Sequence, residues 1–534
     1  MNAESLIPAA AGPAAVVRWL RTHVAPAADL RLDSRAVAAG DVFIALAGRR
    51  ADGADFVPAA LARGAAALLV EADAGARLAA MPPGAVPVLA VPDLRAALGP
   101  IAAAYYGDPT AALRTIGITG TNGKTSSCLW LARVLCAAGQ RCATIGTLGC
   151  GFPEALRSDE STLTTPDAAS VQRMARAACE QGATALAMEV SSIGLDQGRV
   201  DGVRFQVALF TNLSRDHLDY HADMDGYAAA KRKLFDWPTL RQAVLNLDDP
   251  FGRTLAAELA ARPAGRRPTV IGVATGAPAP AAPGAPFDIT LHAEAVEHRP
   301  GGLRFRVACE RAGAPAREVA DIDTGLFGDF NVANLLGVLG AALACGIALP
   351  RAAQAVAALE APPGRLQRVA RAGAAADGAE PLAIVDYAHT PDAIAKALQA
   401  LRPIARARGG RLWIVFGAGG DRDRGKRPVM AAAAAAAADA IVLTSDNPRG
   451  EDAECILDDL AGGIPSGIAF DRLADRGAAV HATLGRAAAA DVVLIAGKGH
   501  ENYQEIAGRR LPYSDAAAAS AALDARAART GVAP

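Results

Sequence analysis

The stretch from 113 to 138 constrains the fold of this chain more than any other. An apolar run over 113–118 leads into Gly117-Ile118-Thr119-Gly120-Thr121-Asn122-Gly123-Lys124-Thr125-Ser126, and a helical pattern follows over 127–138. Strand, glycine-bearing turn and helix in that order provide the setting of a phosphate-binding loop. The glycines let backbone N–H groups converge on phosphate oxygens. The helix N-terminus adds partial positive charge, Lys124 adds a full one, and Thr125 offers a hydroxyl to Mg²⁺. The chain is therefore expected to handle a nucleoside triphosphate. The spacing departs from G-x-x-x-x-G-K, whose first glycine would fall at Ile118; Gly117 is one residue early and Gly120 sits inside the loop.

Around this loop the chain alternates short apolar runs with helical stretches, the pattern of parallel α/β sheets. Its 534 residues exceed one core and suggest about three domains. Runs at 42–46, 67–70 and 86–91 predict a small α/β domain over 1–110, ending at the linker-like Tyr105-Tyr106-Gly107-Asp108-Pro109. A central P-loop-type parallel sheet is expected over 111–348, with strands at 183–190, 206–210 and 243–246. A Rossmann-like C-terminal domain is expected over 349–534, with strands at 383–385, 412–416, 440–443 and 492–496 and an alanine helix at 431–438. The proline-rich stretch 276–286 reads as a loop insertion.

Several strand ends carry chemistry. Glu189 closes the run at 183–190, where a carboxylate near a phosphate loop is placed to hold Mg²⁺. The next strand runs into Thr211-Asn212-Leu213-Ser214-Arg215-Asp216-His217-Leu218-Asp219-Tyr220-His221; His217 can ligate metal, whereas Asp219 and His221 read as caps of the following helix. Lys231, in Ala-Ala-Lys-Arg-Lys-Leu-Phe, reads on its own as a solvated lysine of an amphipathic helix. In the last third, 386–392, 417–428, 445–449 and 497–501 are successive strand-end loops, the usual place for ligands in open α/β sheets. A site lined by Arg422, Asp446, Arg449 and Glu501 suits a zwitterion, because arginine pairs a carboxylate bidentately and the acids pair ammonium groups.

Composition narrows the alternatives. Hydrophobic residues make up 52% and charged residues 20%, a globular balance, and a net charge of −1 gives no long-range attraction to nucleic acid or anionic membrane. Eight cysteines are scattered without a Cys-x-x-Cys pair, as small buried hydrophobes of a reducing compartment would be. Glu4 stands early, no basic segment leads into an apolar core, and no uncharged apolar run reaches membrane-spanning length, so a cytoplasmic protein is expected.

Together these segments closely resemble the Mur ligases of peptidoglycan precursor synthesis, over essentially the whole chain in order. Gly120 to Thr125 is similar to that family's ATP loop, which accounts for the unusual spacing. Met188-Glu189-Val190-Ser191-Ser192, the stretch 211–221, Gly328-Asp329-Phe330-Asn331-Val332-Ala333-Asn334, Gly364-Arg365 and 386–392 resemble its further signatures. Asp33-Ser34-Arg35 with Gly40-Asp41-Val42-Phe43 resembles the uridine-nucleotide domain of one member.

The resemblance implies that Leu32, Ser34, Arg49, Arg50 and Ala51 lie by a UDP moiety, that Gly120, Thr121, Asn122, Gly123, Lys124, Thr125 and Ser126 hold ATP, and that Asn331 and Asn334 lie near adenine. Thr164, Thr165, Ser191, Gln197 and Arg199 would hold a muramoyl-dipeptide. Lys231 matches a lysine carbamylated in the family, whose carbamate joins Thr125, Glu189 and His217 around Mg²⁺. Lys124, Lys231 and His217 would thus serve catalysis. Asp446-Asn447-Pro448-Arg449 resembles the diaminopimelate-selecting form rather than the lysine-selecting one, with Arg422, Gly497 and Glu501 completing the site. The distal carboxylate of diaminopimelate can pair Arg449; lysine has none. Ile193 stands where the family often has His.

The implied reaction is ATP-dependent addition of meso-diaminopimelate to UDP-MurNAc-L-Ala-D-Glu through an acyl phosphate, by a monomer with small-molecule partners only. The alternatives are a lysine-adding or folylpolyglutamate synthetase-like ligase and, from another class, a P-loop switch protein without ligase chemistry.

Overall fold

A computed structural model describes residues 12–48, 51–72, 86–157, 163–276, 287–314, 316–371 and 380–530. The proline-rich stretch 277–286 lies outside them, as do Arg49 and Arg50. The chain divides into two compact units, one of Met1–His292, Ala308–Glu318 and Asn334–Ala352, the other of Ala293–Val307, Val319–Ala333 and Ala353–Pro534.

The first unit holds two sheets. Leu30–Arg31, Val42–Ala45, Ala67–Glu71 and Val88–Val91 pair in sequence order, all parallel. The segment 105–109, expected as a linker, is tied into this unit: the Tyr105 hydroxyl donates to Ala28 O at 2.7 Å, and Asp108 pairs with Arg204. In the second sheet Gly149–Gly151, Cys142–Gly146, Ala185–Glu189, Arg114–Thr119, Phe205–Phe210, Gln242–Asn246 and Thr269–Ala274 are neighbours in that order. Its ladders are parallel from Cys142–Gly146 to Thr269–Ala274, and Gly149–Gly151 adds an antiparallel edge. The chain winds outward in both directions from Arg114–Thr119, so the crevice of this sheet opens at that strand's carboxyl end. Both faces of the sheet are covered, which is why its strands read as near-continuous apolar runs.

The helix after the loop spans Lys124–Ala137, three residues earlier than the apolar pattern predicts. Its first turn, Lys124-Thr125-Ser126, is polar and begins directly after Gly123, whose φ is +84°.

In the second unit the sheet order is Gln367–Val369, Leu382–Asp386, Val492–Ala496, Leu412–Phe416, Ala440–Leu443, Asp471–Arg472, parallel except for the first pair. Side-chain alternation sends Leu412, Ile414 and Phe416 to one core, and Trp413 and Val415 to the other, beneath the helices Arg476–Arg486 and Asp515–Thr530. The order reverses at Val492–Ala496, so the loops leaving Leu382–Asp386, Leu412–Phe416, Ala440–Leu443 and Val492–Ala496 share one edge. Among the described residues no helix is long and apolar enough to cross a membrane. Cys128, Cys142, Cys150, Cys309 and Cys345 are buried, as expected, while Cys455 is exposed.

Candidate active site

The loop at 120–125 is braced by the strand end beside it. Thr121 N donates to Asn212 O at 2.8 Å, Asn122 N to Asn212 Oδ1 at 3.0 Å, and Thr211 Oγ1 to Asn122 O at 2.6 Å. Gly120 is required here: its φ is +150°, and a Cβ would stand 1.9 Å from Thr211 Oγ1. The Asn334 carboxamide packs against Gly123. Lys124 Nζ donates to Gly120 O at 2.9 Å and to Thr121 O at 2.8 Å, and Lys231 Nζ reaches the same Gly120 O at 2.8 Å. Two lysine side chains on one carbonyl oxygen, at the mouth of a helix N-terminus without an acidic residue in its first turn, form a site suited to an anion.

Glu189, buried at the end of Ala185–Glu189, faces this loop. Its Oε2 accepts Thr125 Oγ1 at 2.9 Å and Thr147 Oγ1 at 3.2 Å, and its Oε1 accepts Thr147 N at 2.8 Å. These are hard oxygen donors, the set Mg²⁺ takes. Thr147 carries no sequence signal of its own: it follows Cys142–Gly146, a short strand interrupted by Thr144 rather than a continuous apolar run. Thr164 and Thr165 join the group: Thr164 Oγ1 lies 3.1 Å from Thr147 Oγ1, and Thr165 Oγ1 donates to Glu189 O at 3.0 Å and accepts Ser191 N at 2.9 Å. Arg199 donates to Thr165 O at 2.9 Å and to Gln197 Oε1 at 2.7 Å, and Gln197 donates to the Tyr220 hydroxyl at 3.2 Å. Thr164, Thr165, Ser191, Gln197 and Arg199 are thus one connected network beside the phosphate loop.

Lys231 is buried, not solvated. Burial drives its ammonium well below the usual lysine range, the neighbouring Lys124 charge adds to this, and Asp216 opposes both. The amine is correspondingly easy to deprotonate. Tyr227 organises the surroundings. Lys231 Nζ stands 4.3 Å from its ring centroid, its hydroxyl is 3.2 Å from Thr121 Oγ1, and the rings of His221 and His217 lie 5.3 Å and 6.1 Å away. His217 has a left-handed backbone (φ +52°) and an exposed ring 3.5 Å from Asp216. One expectation is corrected: His221 does not cap the helix Met224–Arg232. Asp223 does so, through Gly226 N, because His221 lies inside its own short helix, Leu218–His221; the Asp219 side chain lies outside the described residues. His221 Nε2 instead meets Ser192 Oγ at 3.0 Å.

Near the first sheet, Ser34 is buried in a short helical turn capped by Asp33, Leu32 is half-buried and Ala51 is exposed. In the second unit Asn331 is buried and donates to Phe327 O at 2.7 Å.

The second unit gathers most of the expected amino-acid site. Asp446, Asn447 and Pro448 are buried and Arg449 is half-buried. Asn447 Nδ2 donates to Glu501 Oε2 at 2.9 Å. Gly497 has φ +119°, and a Cβ there would stand 2.3 Å from Asp446 Oδ2. Arg449 Nη1 donates to Gly420 O at 2.8 Å, and its Nε is 3.6 Å from Glu505 Oε2. Arg422 is exposed. Sequence reasoning assigned no role to Glu505 or to Lys498, a buried cation 3.0 Å from Glu501 Oε2.

A central strand ending in a braced phosphate loop, a buried carboxylate beside it, and a second parallel sheet with a charged strand-end site define a nucleotide-dependent α/β enzyme. Models of the Mur ligase family match residues 28–106 (Mur ligase family, catalytic domain), 118–342 (Mur ligase middle domain) and 364–499 (Mur ligase, glutamate ligase domain). Among curated relatives, the UDP-N-acetylmuramoyl-L-alanyl-D-glutamate–2,6-diaminopimelate ligase of Alkalilimnicola ehrlichii is 48% identical over 504 residues, 93% of this chain and 95% of the relative. That of Pseudomonas aeruginosa is 45% identical over 503 residues, 93% and 95% of the two chains. A solved structure of a ligase of the same name is 36% identical, with a TM-score of 0.63 over 93% of this chain and 95% of that one. A D-alanyl-D-alanyl-adding ligase from Acinetobacter baumannii, 20% identical with a TM-score of 0.58 over 88% and 90%, shares the fold. The chain belongs to the Mur ligase family and is an ATP-dependent amide ligase.

Proposed function

We propose that the chain joins meso-2,6-diaminopimelate to the D-glutamyl γ-carboxylate of UDP-MurNAc-L-Ala-D-Glu, as a monomer in the cytoplasm, during peptidoglycan precursor synthesis. The observation that carries the amino-acid choice is Arg449, held by Gly420 O and Glu505 in the loop Asp446-Asn447-Pro448-Arg449. The names of relatives that match nearly end to end support the same reading. Three domains are proposed: 1–110 for the uridine nucleotide, 111–348 for ATP and 349–534 for the amino acid.

The γ-carboxylate attacks the terminal phosphorus of ATP, giving an acyl phosphate and ADP. The neutral amine of diaminopimelate then attacks the acyl carbon, and the tetrahedral intermediate collapses to amide and phosphate with loss of one proton. Gly120 to Ser126 hold the phosphates, Lys124 neutralises charge on the transferring group, and Asn331 and Asn334 flank adenine. Leu32, Ser34, Arg49, Arg50 and Ala51 receive the uridine nucleotide. Thr164, Thr165, Ser191, Gln197 and Arg199 orient the muramoyl-dipeptide so that its carboxylate is aligned for attack. Arg422, Asp446, Asn447, Pro448, Arg449, Gly497 and Glu501 bind diaminopimelate.

Thr125, Glu189, His217 and Lys231, the last as its carbamate, would hold Mg²⁺, which supplies charge neutralisation on the phosphates when bound. The oxygen donors gathered at Glu189 fit that ion. Carbamylation needs a neutral amine, and the burial of Lys231 favours that form; uptake of carbon dioxide with release of a proton converts it to an anion. The test is isotopic. Substrate carrying ¹⁸O in the γ-carboxylate should pass one labelled oxygen to the released phosphate; unlabelled phosphate would overturn the acyl-phosphate route.

A further inference from the structure

Lys498 lies in the middle of the proposed amino-acid site, fully buried, and neither the phosphate chemistry nor the substrate contacts above use it. Its Nζ donates to Asn447 Oδ1 at 2.9 Å and to Glu501 Oε2 at 3.0 Å, and it stands 3.7 Å from Asp446 Oδ1. Asn447 Oδ1 also accepts Glu505 N at 2.9 Å, while its Nδ2 faces Glu501. The carboxamide therefore has one orientation that satisfies both ends, and the lysine enforces it.

The charge balance follows from the same contacts. Asp446 and Glu501 are two carboxylates flanking one buried cation, so the pair presents about one net negative charge. Arg449 and Glu505 form a second, looser pair at 3.6 Å, and the fully buried Arg476 and Asp515 neutralise each other. Without Lys498, Glu501 would lose its cation and Asp446 would keep only the charges of Arg476 and Lys426 near it, so the site would favour a more positive guest.

We propose that Lys498 is a positioning residue that sets amino-acid specificity: it fixes the Asn447 carboxamide and the Glu501 carboxylate, and cancels one acidic charge, so that the site matches a zwitterion with two carboxylates rather than lysine. The inference rests on the diaminopimelate-adding reading above. At neutral pH diaminopimelate carries no net charge and lysine carries +1, so the two amines report the electrostatic balance of the site.

The test is the ratio of kcat/KM for meso-diaminopimelate over L-lysine in the wild type and in Lys498→Met, with KM for ATP and for the UDP-dipeptide measured alongside. The ratio should fall at least tenfold in the variant, through a raised KM for diaminopimelate, with the other two KM values unchanged. Should Lys498→Met not fold, Lys498→Gln keeps hydrogen-bonding capacity without charge, and the same fall is expected. An unchanged ratio in a diaminopimelate-dependent enzyme, or an equal loss with both amines, overturns the role of Lys498 alone. A wild type that uses both amines equally, or neither, overturns the reading on which it rests.

Discussion

Replacing Arg476 by Met should destabilise the second unit more than any surface substitution, and the geometry says by how much. Arg476 and Asp515 are both fully buried, joined by Nε to Oδ1 at 2.8 Å and Nη2 to Oδ2 at 2.7 Å. The same guanidinium donates to Ser445 O at 3.2 Å and Ala496 O at 2.9 Å, fastening two strand-end loops to the start of the helix Asp515–Thr530. Burial works against its charge, but Asp515, together with Asp446 and Tyr513, holds the guanidinium above its ordinary range. Removing one partner of such a pair costs about 3–5 kcal/mol, because the other charge stays buried alone. Two carbonyls also lose a donor, at about 1 kcal/mol each, which favours the upper end. In a unit of this size the melting transition should fall by roughly 6–20 °C.

The charge left behind carries the cost: in the variant Asp515 stays fully buried without its partner. The double variant Arg476→Met/Asp515→Leu, which buries no charge, should recover most of the loss. Calorimetry and urea unfolding of the full chain decide it. A deficit below about 1 kcal/mol would refute the reasoning.

Gly120→Ala should weaken ATP binding at least tenfold by titration calorimetry, since its Cβ meets Thr211 Oγ1 and forces the loop apart; unchanged affinity would contradict the loop geometry. Arg449→Lys should raise the KM for diaminopimelate about tenfold to a hundredfold, leaving the KM for ATP alone, because a point charge replaces a planar fork. Lys231→Ala should lose most activity and regain part of it with a short-chain carboxylic acid; no rescue would count against the carbamate.

The parallel strands around both sites are legible because each is an apolar run stopped by a polar loop. Ala440–Leu443 and Leu412–Phe416 have the bounds the sequence predicts. Gly302–Arg311 carries a readable alternation, with Leu303, Phe305 and Val307 buried and Arg304 and Arg306 exposed, yet it escapes a reading tuned to continuous runs. Ile289–Arg299 is harder, since its second half is mostly exposed and charged. Lys231 looks solvated in composition, but its position does not: four residues after Tyr227 and three before Leu234, it lies on the buried stripe of its helix. Lys498 offers no such signal, because its role depends on Asn447, some fifty residues earlier in the chain. Residue types at strand ends thus disclose where a ligand goes, while the partners that tune them come from elements distant in sequence.

Amine-dependent phosphate release is the most direct measure of the ligase chemistry and of the choice of amine. With UDP-MurNAc-L-Ala-D-Glu, ATP and Mg²⁺, the protein should release phosphate continuously with meso-diaminopimelate and far more slowly with L-lysine or without amine. Equal release under all three conditions would contradict ligase chemistry, and equal release with the two amines would contradict selection by the Asp446–Arg449 loop.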